Sequence, residues 1–196
     1  MIEHFYQDLD GWFDFPHVYR EALARLPGCG NMVEVGVCYG KSFFFLAVEA
    51  INAEIVLTMN AVDPFRWPAD VWPKYTASLA RVDHSVTIRT HRGLSVPMSK
   101  RFDNQSQDFV FIDAEHTYEQ VKADIEAWWP KVKSGGVLAG HDWGPEFPGV
   151  EKAVWEFSSV ITRKGELVRT KLIPCEASEG DEISPSRRYC WWLEKR

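Results

Sequence analysis

The stretch "NMVEVGVCYGKSFFFLAVEAI", Asn31 to Ile51, changes its hydrophobic pattern half-way along. Met32, Val33, Val35 and Val37 make a short run rich in β-branched residues, the composition of a strand. Gly36 and Gly40 bracket a tight turn, and from Lys41 the apolar side chains continue at helical spacing. A strand that passes through a glycine turn into a helix is the first half of a β–α–β crossover, and such crossovers build parallel sheets.

The same alternation continues outward. "EIVLTMNAVD", "SVTIRTH", "DFVFIDA" and "GGVLAGHD" read as further strands, and "TYEQVKADIEAWW" as a helix with Val121, Ile125 and Trp128 or Trp129 on one face, closed by Pro130. Upstream, "HVYREALARLPGCG" predicts a helix from about His17 to Leu26. Downstream, "GVEKAVWEFSSVI" predicts another, followed by two strands, "GELVRTKLI" and "RRYCWWLEK", separated by the polar "PCEASEGDEISPS". "DPFRWPADVWP" reads as a loop; Trp67 and Trp72 there suit either a lid over a ligand or simple packing, and Trp128, Trp129, Trp155, Trp191 and Trp192 are expected to pack. The pattern predicts an α/β doubly wound sheet of about seven strands, mostly parallel and ending in an antiparallel hairpin.

The chain has 196 residues, of which 45% are hydrophobic and 26% charged, which suits one domain with a full core. Residues 1–30 are expected to form an amino-terminal helical segment, 31–161 a cofactor-binding core and 162–196 the hairpin. The net charge of -6 and the lack of a basic stripe argue against nucleic acid or a membrane surface as partner. Cys29, Cys38, Cys175 and Cys190 are scattered without a C-x-x-C pair or zinc-finger spacing, so the sequence indicates neither structural zinc nor a disulfide scaffold. No stretch approaches the roughly 18 apolar residues of a membrane span, and a cytoplasmic location is expected.

In doubly wound sheets ligands bind beyond the carboxyl ends of the strands. After the first strand, the Gly36–Gly40 turn and Ser42 at the start of the helix suit an anionic group, although an ordinary strand-to-helix turn has the same appearance. Asp63 ends the second strand, where nucleoside-binding sheets place an acid for ribose hydroxyls. Ser95, after the third strand, suits either a base edge or a helix cap. Asp113, His116, His141 and Asp142 end the fourth and fifth strands, and two carboxylates with imidazole suit a hard divalent cation such as Mg²⁺ or Mn²⁺. Glu115 between them is expected to face solvent.

"VEVGVCYGKS", "AVDPF", "DFVFIDAEHTYEQVKADIEAWWPKVKSGGVLAGHD" and "GVEKAVWEF" together resemble the class I S-adenosylmethionine-dependent methyltransferases, in particular small O-methyltransferases related to the catechol, macrolide-sugar and cephamycin-pathway enzymes. The resemblance runs from roughly Asn31 to Ile161. It implies a Rossmann-like fold and S-adenosyl-L-methionine as cofactor, with Glu34, Gly36, Gly40 and Ser42 near its methionine part, Asp63 at the ribose, Ser95 near adenine, and Asp113 also among the cofactor-binding residues. It further implies metal ligands at Asp113, His141 and Asp142, with His116 as general base, His141 standing where many relatives have a carboxylate. The acceptor implied is a small molecule carrying a hydroxyl, in a pocket formed by loops or by a neighbouring subunit of a homo-oligomer. The competing expectations are a nicotinamide-dependent oxidoreductase, which lacks the G-x-G-x-x-G spacing here, and a cofactor-binding module without turnover.

Overall fold

The computed structural model describes residues 1–82, 85–176 and 188–196. After a single 3₁₀ turn at Tyr6–Asp8, the chain forms α1 (Pro16–Ala24), β1 (Cys29–Val35), α2 (Lys41–Asn52), β2 (Val56–Asp63) and α3 (Val71–Leu79). It continues through β3 (Thr87–Arg92), α4 (Ser95–Ser99), β4 (Gln107–Ile112), α5 (Tyr118–Trp128), β5 (Val132–Trp143) and α6 (Pro148–Arg163). β6 (Val168–Pro174) and β7 (Tyr189–Lys195) complete a seven-stranded sheet in the order β3-β2-β1-β4-β5-β7-β6. The first five strands are mutually parallel, whereas β7 runs antiparallel to both β5 and β6. The expected architecture is therefore the observed one.

The period-two alternation of the strands divides the core into two layers, because successive side chains leave a strand on opposite faces. Met32, Phe109, Phe111 and Trp192 meet α1, α2 and α3 on one side, a layer dominated by aromatic rings. Val33, Val35, Val110, Ile112, Trp191 and Leu193 meet α5 and α6 on the other. Burial on both faces explains why the central strands read as apolar runs.

Strand order reverses between β1 and β4, so their exits lie side by side at the point where such sheets open a crevice. The two exits are locked together: the Asp113 N–H donates to the Val35 carbonyl at 2.8 Å. A Cβ on Gly36 would lie 1.9 Å from the Asp113 carbonyl oxygen, an overlap that admits only glycine.

Two expectations need correction. α3 begins inside the stretch read as a loop, because Val71 and Tyr75 find an apolar face to bury against. Trp155 stands on the outer side of α6 and is 61% exposed. Trp67 is also exposed, whereas Trp72 packs against Phe65 and Tyr75 with the Arg92 guanidinium 4.2 Å above its ring. Most of the connector between β6 and β7 lies outside the described residues. No helix among the described residues is long and apolar enough to cross a membrane.

Candidate active site

The turn after β1 owes its shape to left-handed backbone at Gly36 (φ 86°), Cys38 (φ 50°) and Gly40 (φ 87°). Asp63, at the end of β2, holds that turn: its Oδ2 accepts the N–H groups of Val37 and Cys38, both at 2.9 Å, and its Oδ1 accepts that of Phe65. α2 starts at Lys41 without a side-chain cap, so its first N–H groups are not satisfied by a capping side chain.

Three of the expected cofactor residues direct their polar groups to interior partners. Glu34 is buried, and its carboxyl accepts hydrogen bonds from Tyr19 Oη at 2.6 Å and from Ser42 Oγ at 2.7 Å. Burial pushes its pKa up to about 8, the two hydrogen bonds offsetting only part of that. The Ser42 hydroxyl is thus turned toward β1, leaving backbone N–H groups as what α2 offers a ligand. Ser95 opens α4, but its hydroxyl accepts the indole N–H of Trp128 at 2.9 Å and hydrogen-bonds Asp124, and it makes no helix cap.

At the exits of β4 and β5, Asp113, His116 and Asp142 come together with one ligand atom of each within 4.8 Å of the others. His116 Nε2 lies 2.8 Å from Asp142 Oδ2, and the Phe147 ring packs 4.4 Å from the imidazole. The Asp142 hydrogen bond raises the His116 pKa above its ordinary value. Burial disfavours charge on Asp142, but hydrogen bonds from His116 and His141 outweigh it and hold the carboxyl well below the usual range. Asp113 responds in the opposite sense: burial, reinforced by the Asp142 charge, raises its pKa despite the nearby histidines. Asp142 sits at φ 60°, a left-handed conformation uncommon outside glycine and held here by its two imidazole partners. Glu115 is exposed, as expected.

His141, expected as a ligand beside Asp113 and Asp142, is placed differently. It is buried, with Nε2 2.9 Å from Asp14 Oδ1 and 3.5 Å from Cys175 Sγ. Nδ1 lies 3.2 Å from Asp142 Oδ1 and 3.9 Å from Asp113 Oδ1. The physical reason is packing of distant segments: the His141 ring enters the aromatic layer 4.8 Å from Phe15 with Nε2 against Asp14, while the Asp142 carboxylate lies between the His141 and His116 imidazoles. Nothing local to Asp14 in the sequence signals its contact with His141, 127 positions away.

A family model described as a methyltransferase domain matches residues 33–143, which covers the glycine turn, Asp63 and the whole Asp113–Asp142 cluster. The chain belongs to the methyltransferase-domain family. Solved structures with the same methyltransferase fold include a putative methyltransferase from Streptococcus mutans in complex with SAH, with TM-score 0.67 and 11% identity over 95% of this chain and 100% of that one. An rRNA methylase from Streptococcus thermophilus has TM-score 0.65 and 13% identity over 94% and 97% of the two chains. A putative caffeoyl-CoA O-methyltransferase from Staphylococcus aureus has TM-score 0.56 and 15% identity over 96% and 87%. Among curated proteins, the uncharacterized protein y4gI of Sinorhizobium fredii is 28% identical over 121 residues, or 57% of this methyltransferase-domain chain. The chain spans only 13% of that relative's length.

Proposed function

We propose that this chain is an S-adenosylmethionine-dependent methyltransferase that methylates a hydroxyl oxygen of a small molecule, with His116 as proton acceptor. The observation that carries the reading is the His116–Asp142 pair, 2.8 Å apart at the mouth of the sheet, with His116 37% exposed. The fold supports the cofactor: the uncapped amino end of α2 suits the anionic carboxylate of a methionine moiety, and Asp63 fixes the turn beside it. The family match supports methyl transfer. The net charge of -6 favours a small acceptor over the polyanionic RNA of the Streptococcus thermophilus neighbour.

The cofactor's sulfonium supplies the electrophilic methyl group, so the protein's task is alignment and preparation of the nucleophile. Asp142, ionised, accepts Nε2–H of His116 and thereby fixes the neutral tautomer with its lone pair on Nδ1. Nδ1 then takes the acceptor's hydroxyl proton as the oxygen attacks, and Phe147 limits rotation of the ring. Asp113 and Asp142 also offer carboxylate oxygens to a hard divalent cation such as Mg²⁺ or Mn²⁺, which would supply a lowered hydroxyl pKa while His116 stays free to act as base.

The test is a methyl-release assay with S-adenosylmethionine and a panel of small hydroxylated acceptors, run with and without chelator, on wild type and His116→Ala. General-base loss is expected to lower turnover about 10²–10⁴-fold, while calorimetry shows unchanged adenosylhomocysteine binding. Wild-type turnover by the variant would refute the base; binding of NAD in place of adenosylhomocysteine would refute the cofactor. Chelator-insensitive turnover removes the metal from the mechanism and leaves the His116–Asp142 pair as the whole apparatus.

A further inference from the structure

Three metal-ligating side chains that the proposed reaction does not use, His141, Cys175 and Cys190, come together behind β5, and Asp14 lies against the histidine. They come from separate parts of the chain: Asp14 just before α1, His141 in β5, Cys175 after β6 and Cys190 in β7. All are buried, with relative exposures of 5%, 6%, 7% and 0%. We propose that Asp14, His141, Cys175 and Cys190 form a closed structural site for a thiophilic divalent metal, zinc being the ion whose geometry and ligand preference they fit.

The hydrogen bonding of His141 is the first support. Its Nε2 carries either one hydrogen or one lone pair, yet an Asp14 oxygen at 2.9 Å and a Cys175 sulfur at 3.5 Å both converge on it. One N–H does not serve two acceptors well, whereas one ion between them serves all three. The distances agree: tetrahedral bonds of about 2.05 Å to nitrogen and about 2.3 Å to sulfur separate those atoms by about 3.6 Å. Nitrogen and oxygen ligands would stand about 3.3 Å apart, so Asp14 moves outward by a few tenths of an ångström. The Cys190 sulfur closes the set, since the ligand atoms of His141, Cys175 and Cys190 all lie within 4.8 Å of one another.

The surroundings of the site supply the rest. His141 Nδ1 lies 3.2 Å from Asp142 Oδ1. A carboxylate accepting the hydrogen on one imidazole nitrogen directs the lone pair of the other at a metal, the usual outer support of a histidine ligand. Two thiols with one imidazole and one carboxylate suit zinc, in contrast to the oxygen-rich Asp113–His116–Asp142 cluster. Burial leaves no open position, which marks a structural rather than a catalytic site. The site would tie the amino-terminal segment and the carboxyl-terminal hairpin to β5, joining regions already in contact where Glu176 N–H donates to the Asp14 carbonyl at 2.7 Å. Binding involves no electron transfer: the two thiols release their protons to solvent as their sulfurs coordinate the ion.

The test uses the full chain, reduced, stripped of metal and reloaded with zinc, in a His116→Ala background that dismantles the oxygen-rich cluster. After dialysis, elemental analysis should find one zinc per chain, and none once Cys175→Ser and Cys190→Ser are added. Cobalt loaded in place of zinc should show thiolate-to-cobalt charge-transfer absorption, a measurement that needs no cysteine variant and so survives any misfolding of the double mutant. Loss of zinc from the wild-type cysteines on dialysis, zinc retained by the double mutant, or cobalt binding without the charge-transfer band would each overturn the site. So would zinc-free protein isolated without reductant in which peptide mapping finds Cys175 and Cys190 joined as a disulfide.

Discussion

His116 Nε2 and Asp142 Oδ2 lie 2.8 Å apart although they leave different strands, so one carboxylate sets both the orientation and the basicity of one imidazole. That pairing determines the first prediction. A base must be neutral to work, so turnover should rise as pH climbs through the His116 pKa. Asp142 raises that pKa, and Asp142→Asn therefore moves the acidic limb of the pH–rate profile to lower pH. Plateau turnover should fall by about 10²–10⁴-fold as the ring loses its anchor. A limb that moved to higher pH would contradict the pairing.

Glu34 links pH to stability. Its pKa rises from 4.5 to about 8 on folding because of burial, so the native state keeps a proton that the unfolded chain has released. The resulting stabilisation is complete below 4.5 and is lost as pH rises through about 8. Glu34→Gln, isosteric with the protonated acid, should flatten the urea midpoint across that window, where the wild-type midpoint declines. Glu34→Ala strands the Tyr19 and Ser42 hydroxyls and should cost about 1–3 kcal/mol for each.

Gly36→Ala should be among the most damaging small substitutions. The left-handed φ of 86° strains any side chain, and the new Cβ would overlap the Asp113 carbonyl. Backbone strain alone costs about 1–3 kcal/mol, and relief of the overlap requires the exits of β1 and β4 to separate. A thermal melt should show a large loss of stability, accompanied by loss of turnover as Asp113 shifts. An unchanged melting temperature would mean that the two exits are not locked.

Ser95→Ala tests what its hydroxyl does. It would orphan the Trp128 indole N–H and remove a hydrogen bond from Asp124, whose buried Oδ1 already lacks a partner. The expected cost is about 1–3 kcal/mol in urea denaturation. The Asp124 pKa, already pushed to about 6 by burial, should climb further. A variant as stable as wild type would show that the hydroxyl contributes little to the interior.

Much of the candidate site can be read from strand ends, since a polar residue at the carboxyl end of a buried parallel strand must face the crevice. Asp113 and Asp142 are legible that way, His116 follows Asp113 by three residues, and the fold brings the three together. His141 beside Asp142 reads as a ligand in the same way, and only the packed fold places its Nε2 against Asp14 and Cys175. Ser42 and Ser95 look like ligand-facing hydroxyls in one dimension, but the packed fold turns them toward Glu34 and toward Trp128 and Asp124. α3 went unread because Pro- and Trp-rich composition signals a loop, whereas the aromatic layer makes burying Val71 and Tyr75 worthwhile.

Hydrophobic period and turn chemistry act over a few residues, so they reveal all seven strands, most of the helices and the parallel core with its antiparallel end. Packing of the whole chain brings His141, Cys175 and Cys190 together in the interior, with Asp14 against the histidine. Those residues are separated by up to 176 positions along the chain, and no local periodicity records which face of which strand will meet them. Their meeting depends on β7 entering between β5 and β6, a pairing set by burial of the whole sheet rather than by any segment of it.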